Sequence, residues 1–349
     1  MKRSIFLAFT AALAVTVSCG GPTAVSNVDP EGRIFRGEAT EAQLGGFDAY
    51  CDAIGERQQN VQSIMVVQHG KVIYEKWMNG GAADVPHVLN SVSKTFTSIA
   101  VGFAIDEGLF GLDDKVVDIF PDKLPAEVSD NLKAMTVRSL LTMSCGHDPD
   151  PSGFALWKED DAIDFDWVER FLQVPVVHEP LTHFCYNSVG TYMLSAIVQK
   201  YTGKKVVDYL QEHLFDPLDI DYPQWKLSPQ GICCGGWGLY LKTEDLAKTG
   251  LCLLQDGKWN GEQVIPGWWV KEMSSRQVDN SNTGSTIDWV QGYGFQMWRC
   301  THNAFRADGA NGQYILVIPE KDAVVAITAD LGNMQAELDT VWDFVYPVL

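Results

Sequence analysis

The sequence predicts an α+β fold: an antiparallel sheet built from the two ends of the chain, flanked by helices, with a mostly helical subdomain over about residues 111–230 inserted between them. Three observations carry this expectation. Strand-type hairpins lie near both ends, and the stretch between them reads as short helices and loops. The 349 residues are 46% hydrophobic and 20% charged, enough apolar content to build a sizeable core. Strands and helices segregated along the chain favour α+β layers over alternating βαβ units. Length alone allows about two domains or one large unit with insertions.

The elements follow in order. Met1-Lys2-Arg3 and the apolar run Ile5 to Val17 lead to small residues around Ser18-Cys19-Gly20-Gly21. Such a run rises only about 20 Å as a helix, short of a bilayer core of roughly 30 Å, so residues 1–18 read as an export signal peptide. Cys19 in that setting looks like a bacterial lipobox cysteine that would carry lipid at a new N-terminus, although Thr16 stands where leucine is usual; plain secretion is the alternative. Residues 19–39, rich in Gly, Pro, Ser and Thr, suit a tether, and 40–349 form the folded body. Leu44, Phe47, Tyr50, Cys51 and Ile54 recur at helical spacing within 40–60. Ile64 to Gln68 and Lys71 to Trp77 flank His69-Gly70 as a hairpin, and Tyr314 to Ile318 and Ala323 to Thr328 flank Pro319-Glu320-Lys321-Asp322 as a second. Between them, Val137–Met143 follows Thr136 as an N-cap, and Thr191–Tyr201 precedes Gly203. An amphipathic helix is expected from Met334 to Tyr346.

Composition excludes some functions. With 45 acids against 26 bases the net charge is −19, which repels phosphate backbones and anionic lipid. No nucleic-acid partner is expected, and contact with a membrane only through the N-terminal lipid. Beyond Cys19 the cysteines number seven (Cys51, Cys145, Cys185, Cys233, Cys234, Cys252 and Cys300), with no C-x-x-C pair, so neither a zinc ribbon nor a disulfide framework is read.

Common chemical signatures are scarce. There is no G-x-S-x-G nucleophile elbow. His178-Glu179-Pro180-Leu181-Thr182-His183 is one residue too long for a zincin helix, and Pro180 would break that helix. Asp148-x-Asp150-x-Ser152-Gly153, followed by Glu159, nearly fits a calcium loop, but Pro149 and Pro151 stiffen it, and a solvated acidic loop is the plainer reading. No metal or organic cofactor is expected.

Ser91-Val92-Ser93-Lys94 is the segment that suggests catalysis. On a helix, residues three apart share one face. A serine hydroxyl is a poor nucleophile until a neighbouring base takes its proton, and a lysine is that base once partial burial beside other cations lowers its pKa. A helix N-terminus would favour both the lowered pKa and a developing oxyanion. By itself the spacing is weak, because a chain with 18 Ser and 17 Lys supplies about one such pair by chance.

The surrounding blocks strengthen it. Ser91 to Ser98, then Ala104 to Gly108 and Leu112 to Val116, resemble the serine β-lactamase-related family, which includes class C β-lactamases, D-alanyl-D-alanine carboxypeptidases and family VIII-type esterases. Thr136 to Gly146 resembles that family's "TVRxLLTMxSG" helix, with Cys145 where serine is usual. Tyr186-Asn187-Ser188 resembles its tyrosine motif, and Gly235-Gly236 followed by Leu239 to Lys248 resembles its "GGLxSTxxDLAK" segment. The blocks keep the family order over about residues 60–330. The resemblance implies a β-lactamase/transpeptidase-like fold and an exported serine hydrolase. Its substrate would be a small-molecule ester, amide or peptide.

It also assigns roles. Ser91 would be the acylated nucleophile, Lys94 its base, and Tyr186 a proton shuttle whose ionised form nearby amines would favour. Ser188 would contact substrate or lysine, with Asn187 as the alternative. The third family block, usually Lys-Thr-Gly or His-x-Gly, falls at Arg306-Ala307-Asp308-Gly309-Ala310, so that Asp308, Gly309 and Ala310 would line the substrate cleft and the Ala310 amide would join that of Ser91 in an oxyanion hole. Ala307 occupies the cationic position. Its lack of charge weakens the case for β-lactams and D-Ala-D-Ala peptides, which present a carboxylate, and fits an esterase or amidase better. Arg306 is a poor substitute, since adjacent strand residues point to opposite faces. Two other function classes remain: a catalytically silent ligand-binding relative, and a lipoprotein whose main role is interaction with a partner.

Overall fold

The structure is a computed structural model that describes residues 26–153 and 165–349. The expected signal peptide, Cys19 and the first part of the tether lie outside the described residues, as does Glu159 of the calcium-like loop.

Helix α1, Glu41–Glu56, starts where Thr40 accepts from the Gln43 amide and Gln43 bonds back to the Thr40 amide, a capping box. Strands β1, Val61–Gln68, and β2, Lys71–Trp77, form the first hairpin. His69 and Gly70 turn it with φ of 51° and 75°, the left-handed pair that a two-residue turn requires. Helix α2, Ser93–Asp106, runs through the centre, and α3, Ser188–Thr202, ends at Gly203 in the left-handed conformation. Helix α4 spans Thr243–Leu254. The chain then returns through β3 (Trp298–Arg299), β4 (Phe305–Gly309), β5 (Gln313–Ile318) and β6 (Ala323–Ala329), and α5, Met334–Thr340, follows. The expected terminal helix is regular only in α5, beyond which Val341–Val345 widens into a π turn.

All six strands join one antiparallel sheet in the order β2-β1-β6-β5-β4-β3. The two ends of the chain meet where β1 pairs with β6, Val66 opposite Val325. Alternation along the strands then sorts side chains to two faces. Tyr314, Leu316 and Ile318 pack with Phe47, Tyr50 and Leu338 beneath α1 and α5. Ile315, Val317 and Val324 pack with Phe96, Leu246 and Leu251 beneath α2 and α4. Helix α4 comes so close that a Cβ on Gly250 would stand 2.5 Å from Val324 Cγ1.

Between α2 and α4 the described helices are mostly short, such as Val116–Ile119, Asp130–Ala134, Val137–Leu141 and Trp167–Gln173. Their apolar residues share one continuous cluster with α2 and the sheet. Twelve of the fourteen residues of α2 are buried, as befits a helix enclosed on all sides.

The tether is shorter than expected. Ile34 is fully buried, Asn27 bonds to Asn260 and Gln255, and Arg36 pairs with both Glu75 and Glu244. An apolar side chain and a two-carboxylate anchor fix residues 27–36 to the body despite their loop-like composition. All seven cysteines beyond Cys19 are free thiols.

Candidate active site

The site is assembled where the N-terminal end of α2 meets the edge of β4. A 3₁₀ turn, Asn90–Val92, leads into α2. Asn90 adopts φ of 46°, a left-handed conformation that asparagine tolerates better than most residues. Its carbonyl accepts from Ser93 Oγ at 2.6 Å, and its side chain donates to the Ala310 carbonyl at 2.8 Å. The turn that presents Ser91 is therefore tied on one side to α2 and on the other to the end of β4.

Lys94 lies one turn further on, 1% exposed, with Nζ 2.8 Å from Ser91 Oγ and 2.8 Å from the Gly236 carbonyl. One turn beyond that, Thr97 Oγ1 donates to the Gly235 carbonyl at 2.9 Å. The Gly235-Gly236 segment thus supplies acceptors to one stripe of α2, and it can do so only without side chains. A Cβ on Gly236 would meet the Ser188 carbonyl at 2.6 Å, and one on Gly235 the Thr191 carbonyl at 2.9 Å.

Tyr186 immediately precedes Asn187, the N-cap of α3, whose Oδ1 accepts from the Gly190 amide at 2.8 Å. The phenol lies beside Ser91, and the Lys94 ammonium sits 4.8 Å from the ring centroid. Trp298 stacks on the other side of the ring, centroids 5.4 Å apart and planes inclined by 23°. Asn187 is fully buried, held also against Cys145 and His147, so it is a helix cap and does not reach the cleft. Ser188 opens α3, and its hydroxyl has no protein partner among the described residues.

Gly309 ends β4 against the serine turn. A Cβ there would stand 2.1 Å from the Leu89 carbonyl and 3.1 Å from the Ser91 amide nitrogen. The close approach that glycine permits is therefore between two backbones, which brings the amides of Ser91 and Ala310 to one edge of the cleft. Neither amide donates to another described residue.

Asp308 takes a different place from the one expected. Its Oδ2 accepts from Arg306 Nε at 3.0 Å and lies 2.9 Å from Nη2, with Arg306 fully buried and Asp308 7% exposed. Arg306 also donates to the Asp288 carbonyl and lies over the Trp289 ring at 4.3 Å. Asp308 is thus a buried counter-ion beside the site, paired with Arg306. Ala307 points to the opposite face and is 1% exposed, packed among Ile315 and its neighbours. Arg306 does not take over the missing cation, because its guanidinium is spent on Asp308 and the Asp288 carbonyl.

Electrostatics follow from burial. Loss of water lowers Lys94 to about 7, against the pull of Asp308 and Asp150. No adjacent cation takes part in that shift, so the neighbour effect expected from sequence is replaced by desolvation alone. Tyr186 is also corrected. Burial, with the Asp308 charge acting the same way, pushes its phenol upward, and the neighbouring Ser91 hydroxyl and Arg306 only offset this. It is a neutral donor at ordinary pH, and the amine stabilises no phenolate.

Sequence reading missed the Gly236 carbonyl as the anchor of Lys94, and Trp298 as the platform of Tyr186. The first is a backbone atom. The second lies more than a hundred residues from Tyr186, and only cross-chain stacking relates them.

The chain is similar in family and fold to several known proteins. The family model described as Beta-lactamase matches residues 47–344. The 6-aminohexanoate-dimer hydrolase of Paenarthrobacter ureafaciens is 27% identical over 330 residues, covering 87% of this chain and 81% of that protein. Among solved structures, EstCE1, described as a hydrolase with promiscuous acyltransferase activity, superposes with a TM-score of 0.72 at 18% identity, covering 88% of this chain and all of that one. A penicillin-binding protein homolog from Caulobacter crescentus gives a TM-score of 0.69 at 16% identity, covering 90% of this chain and 99% of that one.

Proposed function

This chain belongs to the Beta-lactamase family, and on that premise we propose that it is a serine hydrolase that cleaves an ester or amide bond through an acyl-enzyme on Ser91. The observation that carries the reading is Lys94 Nζ, 2.8 Å from Ser91 Oγ, buried, and lowered to about 7. A neutral amine at that distance accepts the hydroxyl proton as Oγ bonds to the substrate carbonyl carbon. The carbonyl electron pair moves onto oxygen, where the Ser91 and Ala310 amides are available to it. When the tetrahedral adduct collapses, the bond to the leaving alcohol or amine breaks. The neutral Tyr186 phenol gives that group a proton, and the Lys94 ammonium beside the ring, which holds the proton taken from Ser91, returns one to the phenol. Water then attacks the ester carbonyl and loses a proton to neutral Lys94; as the second adduct collapses, the bond to Oγ breaks, Lys94 returns that proton to Ser91 Oγ, and the acid is released.

The substrate is inferred to lack a carboxylate beside the reacting carbonyl, since Ala307 is packed into the core and Arg306 is held by Asp308. The similarity to a 6-aminohexanoate-dimer hydrolase and to a hydrolase with promiscuous acyltransferase activity supports a hydrolase acting through an acyl group. A fluorophosphonate probe should label the protein and fail to label Ser91→Ala. Among p-nitrophenyl esters, linear amides and a chromogenic cephalosporin, the esters or amides should turn over at least tenfold faster in kcat/KM. A folded protein that takes no label would overturn the hydrolase reading in favour of a silent binding relative. Cephalosporin turnover matching the best ester would overturn the substrate reading alone.

A further inference from the structure

We infer that Asp148, His178 and His183 form a binding site for a divalent transition-metal ion of the zinc type, on the loop that leads into Tyr186. One ligand atom from each residue lies within 4.8 Å of the others. Asp148 Oδ2 is 3.3 Å from His178 Nε2 and 3.6 Å from His183 Nε2. The first is a hydrogen bond, and both separations exceed the 2.9 Å near which N–H···O bonds cluster. They are close to the edge of a zinc tetrahedron, because bonds of about 2.0–2.1 Å at tetrahedral angles set neighbouring ligand atoms roughly 3.3 Å apart. Two imidazoles and one carboxylate suit zinc and its neighbours, whereas calcium prefers a shell of oxygens.

The arrangement does not need the helix that Pro180 forbids. The chain turns at Leu181, φ 73°, and the segment around it is laced to residues 143–146 by backbone bonds. The His178 amide donates to the Gly146 carbonyl at 3.0 Å, Leu181 to Ser144 at 2.8 Å and Cys185 to Met143 at 2.8 Å. Gly146 is required for this lacing, since a Cβ would stand 2.3 Å from the His178 carbonyl. Both imidazoles are thus aimed at one oxygen by a braced backbone, their centroids 4.3 Å apart. His183 Nδ1 lies 3.4 Å from Asn282 Nδ2, which also donates to the Phe184 carbonyl at 3.4 Å, so this edge of the ring faces the protein and Nε2 faces Asp148. Side-chain exposures of 50%, 40% and 32% for Asp148, His178 and His183 leave the site open to an ion from solvent, with a fourth position for water. The ion would tie the Asp148 segment to the loop that positions Tyr186. No step of the proposed hydrolysis passes through it.

The test is zinc chloride titrated by calorimetry into the full chain after chelator treatment, with His178→Ala, His183→Ala and Cys185→Ser in parallel. One equivalent should bind. Each histidine variant should bind at least tenfold more weakly, and Cys185→Ser should match the unaltered protein. Zinc should also raise the Tm of the unaltered protein and leave that of the histidine variants in place. Since both imidazoles are partly exposed, the zinc-free Tm of these variants should stay within a few degrees, which shows them folded. Unchanged affinity in the histidine variants, loss of binding in Cys185→Ser, or no binding up to about 1 mM zinc would overturn the site. None of these readouts depends on hydrolysis, so failure here is distinct from failure of the hydrolase reading.

Discussion

Lys94 is bonded to two neutral oxygens, Ser91 Oγ and the Gly236 carbonyl, and has no carboxylate within bonding distance among the described residues. An ammonium with 1% of its surface exposed and no anion against it is destabilised, so the proton leaves at a lower pH than usual. The charges of Asp308 and Asp150 act from further away and only moderate the effect. The consequence is a pH dependence of known sign. Below the lowered value of about 7 the amine is protonated and no base is present; above it the base is free. The kcat/KM for ester hydrolysis should therefore rise with pH through a single limb near 7 and then level. Lys94→Ala should abolish acylation near neutral pH while leaving the thermal transition cooperative. A profile flat from pH 5 to 9, or retained acylation in Lys94→Ala, would remove lysine from the base role.

At the scale of elements, the geometry of the site depends on backbones brought unusually close. The serine turn, the Gly235-Gly236 segment and the end of β4 meet at glycines that have no room for a methyl group. Interiors packed to crystal-like density accept an added carbon only by moving something. At Gly309 the obstacle is the Leu89 carbonyl, two residues before Ser91. Gly309→Ala should push β4 from the serine turn, lowering stability by about 1–3 kcal/mol. Because the Ser91 and Ala310 amides would separate, kcat should fall by at least tenfold, with KM changing less. Steady-state kinetics beside a urea unfolding curve checks both, and unaltered kcat would show that the oxyanion geometry does not rest on this contact. The resemblance points to this glycine, but not to its reason, because the clash is with a carbonyl some 220 residues away.

For the molecule as a whole, the central strand of the sheet comes last. β6 lies between β1 and β5, so the first hairpin reaches the rest of the sheet only through it. Every residue of β6 is buried, and the site is carried by β4, two strands away. A chain ended after Asp322 would lose β6, α5 and the cover over Tyr314 and Leu316. It should fail to fold, which expression and circular dichroism would report as insoluble or uncooperative material. A soluble, cooperative product would mean that the helical region and first hairpin fold independently of the closing strand. The continuous core beneath α2 and α4 argues against that independence.

What was legible in the sequence was whatever depends on near neighbours. Hairpin turns, helix caps and the one-turn spacing of Ser91 and Lys94 are set by residues within a few positions, and the block order that resembles the family placed Tyr186 and Gly309. Tertiary structure alone decided which neighbours are desolvated and which are paired. It buried Lys94 against the Gly236 carbonyl, locked Asp308 to Arg306, and docked residues 27–36 on the body. It also turned the His178–His183 stretch, unfit for a metal-binding helix, into a loop that aims both rings at Asp148. The physical reason is the same throughout. Local backbone preferences act over a few residues, whereas dielectric environment, ion pairing and steric room at a site are properties of chains that meet from far apart.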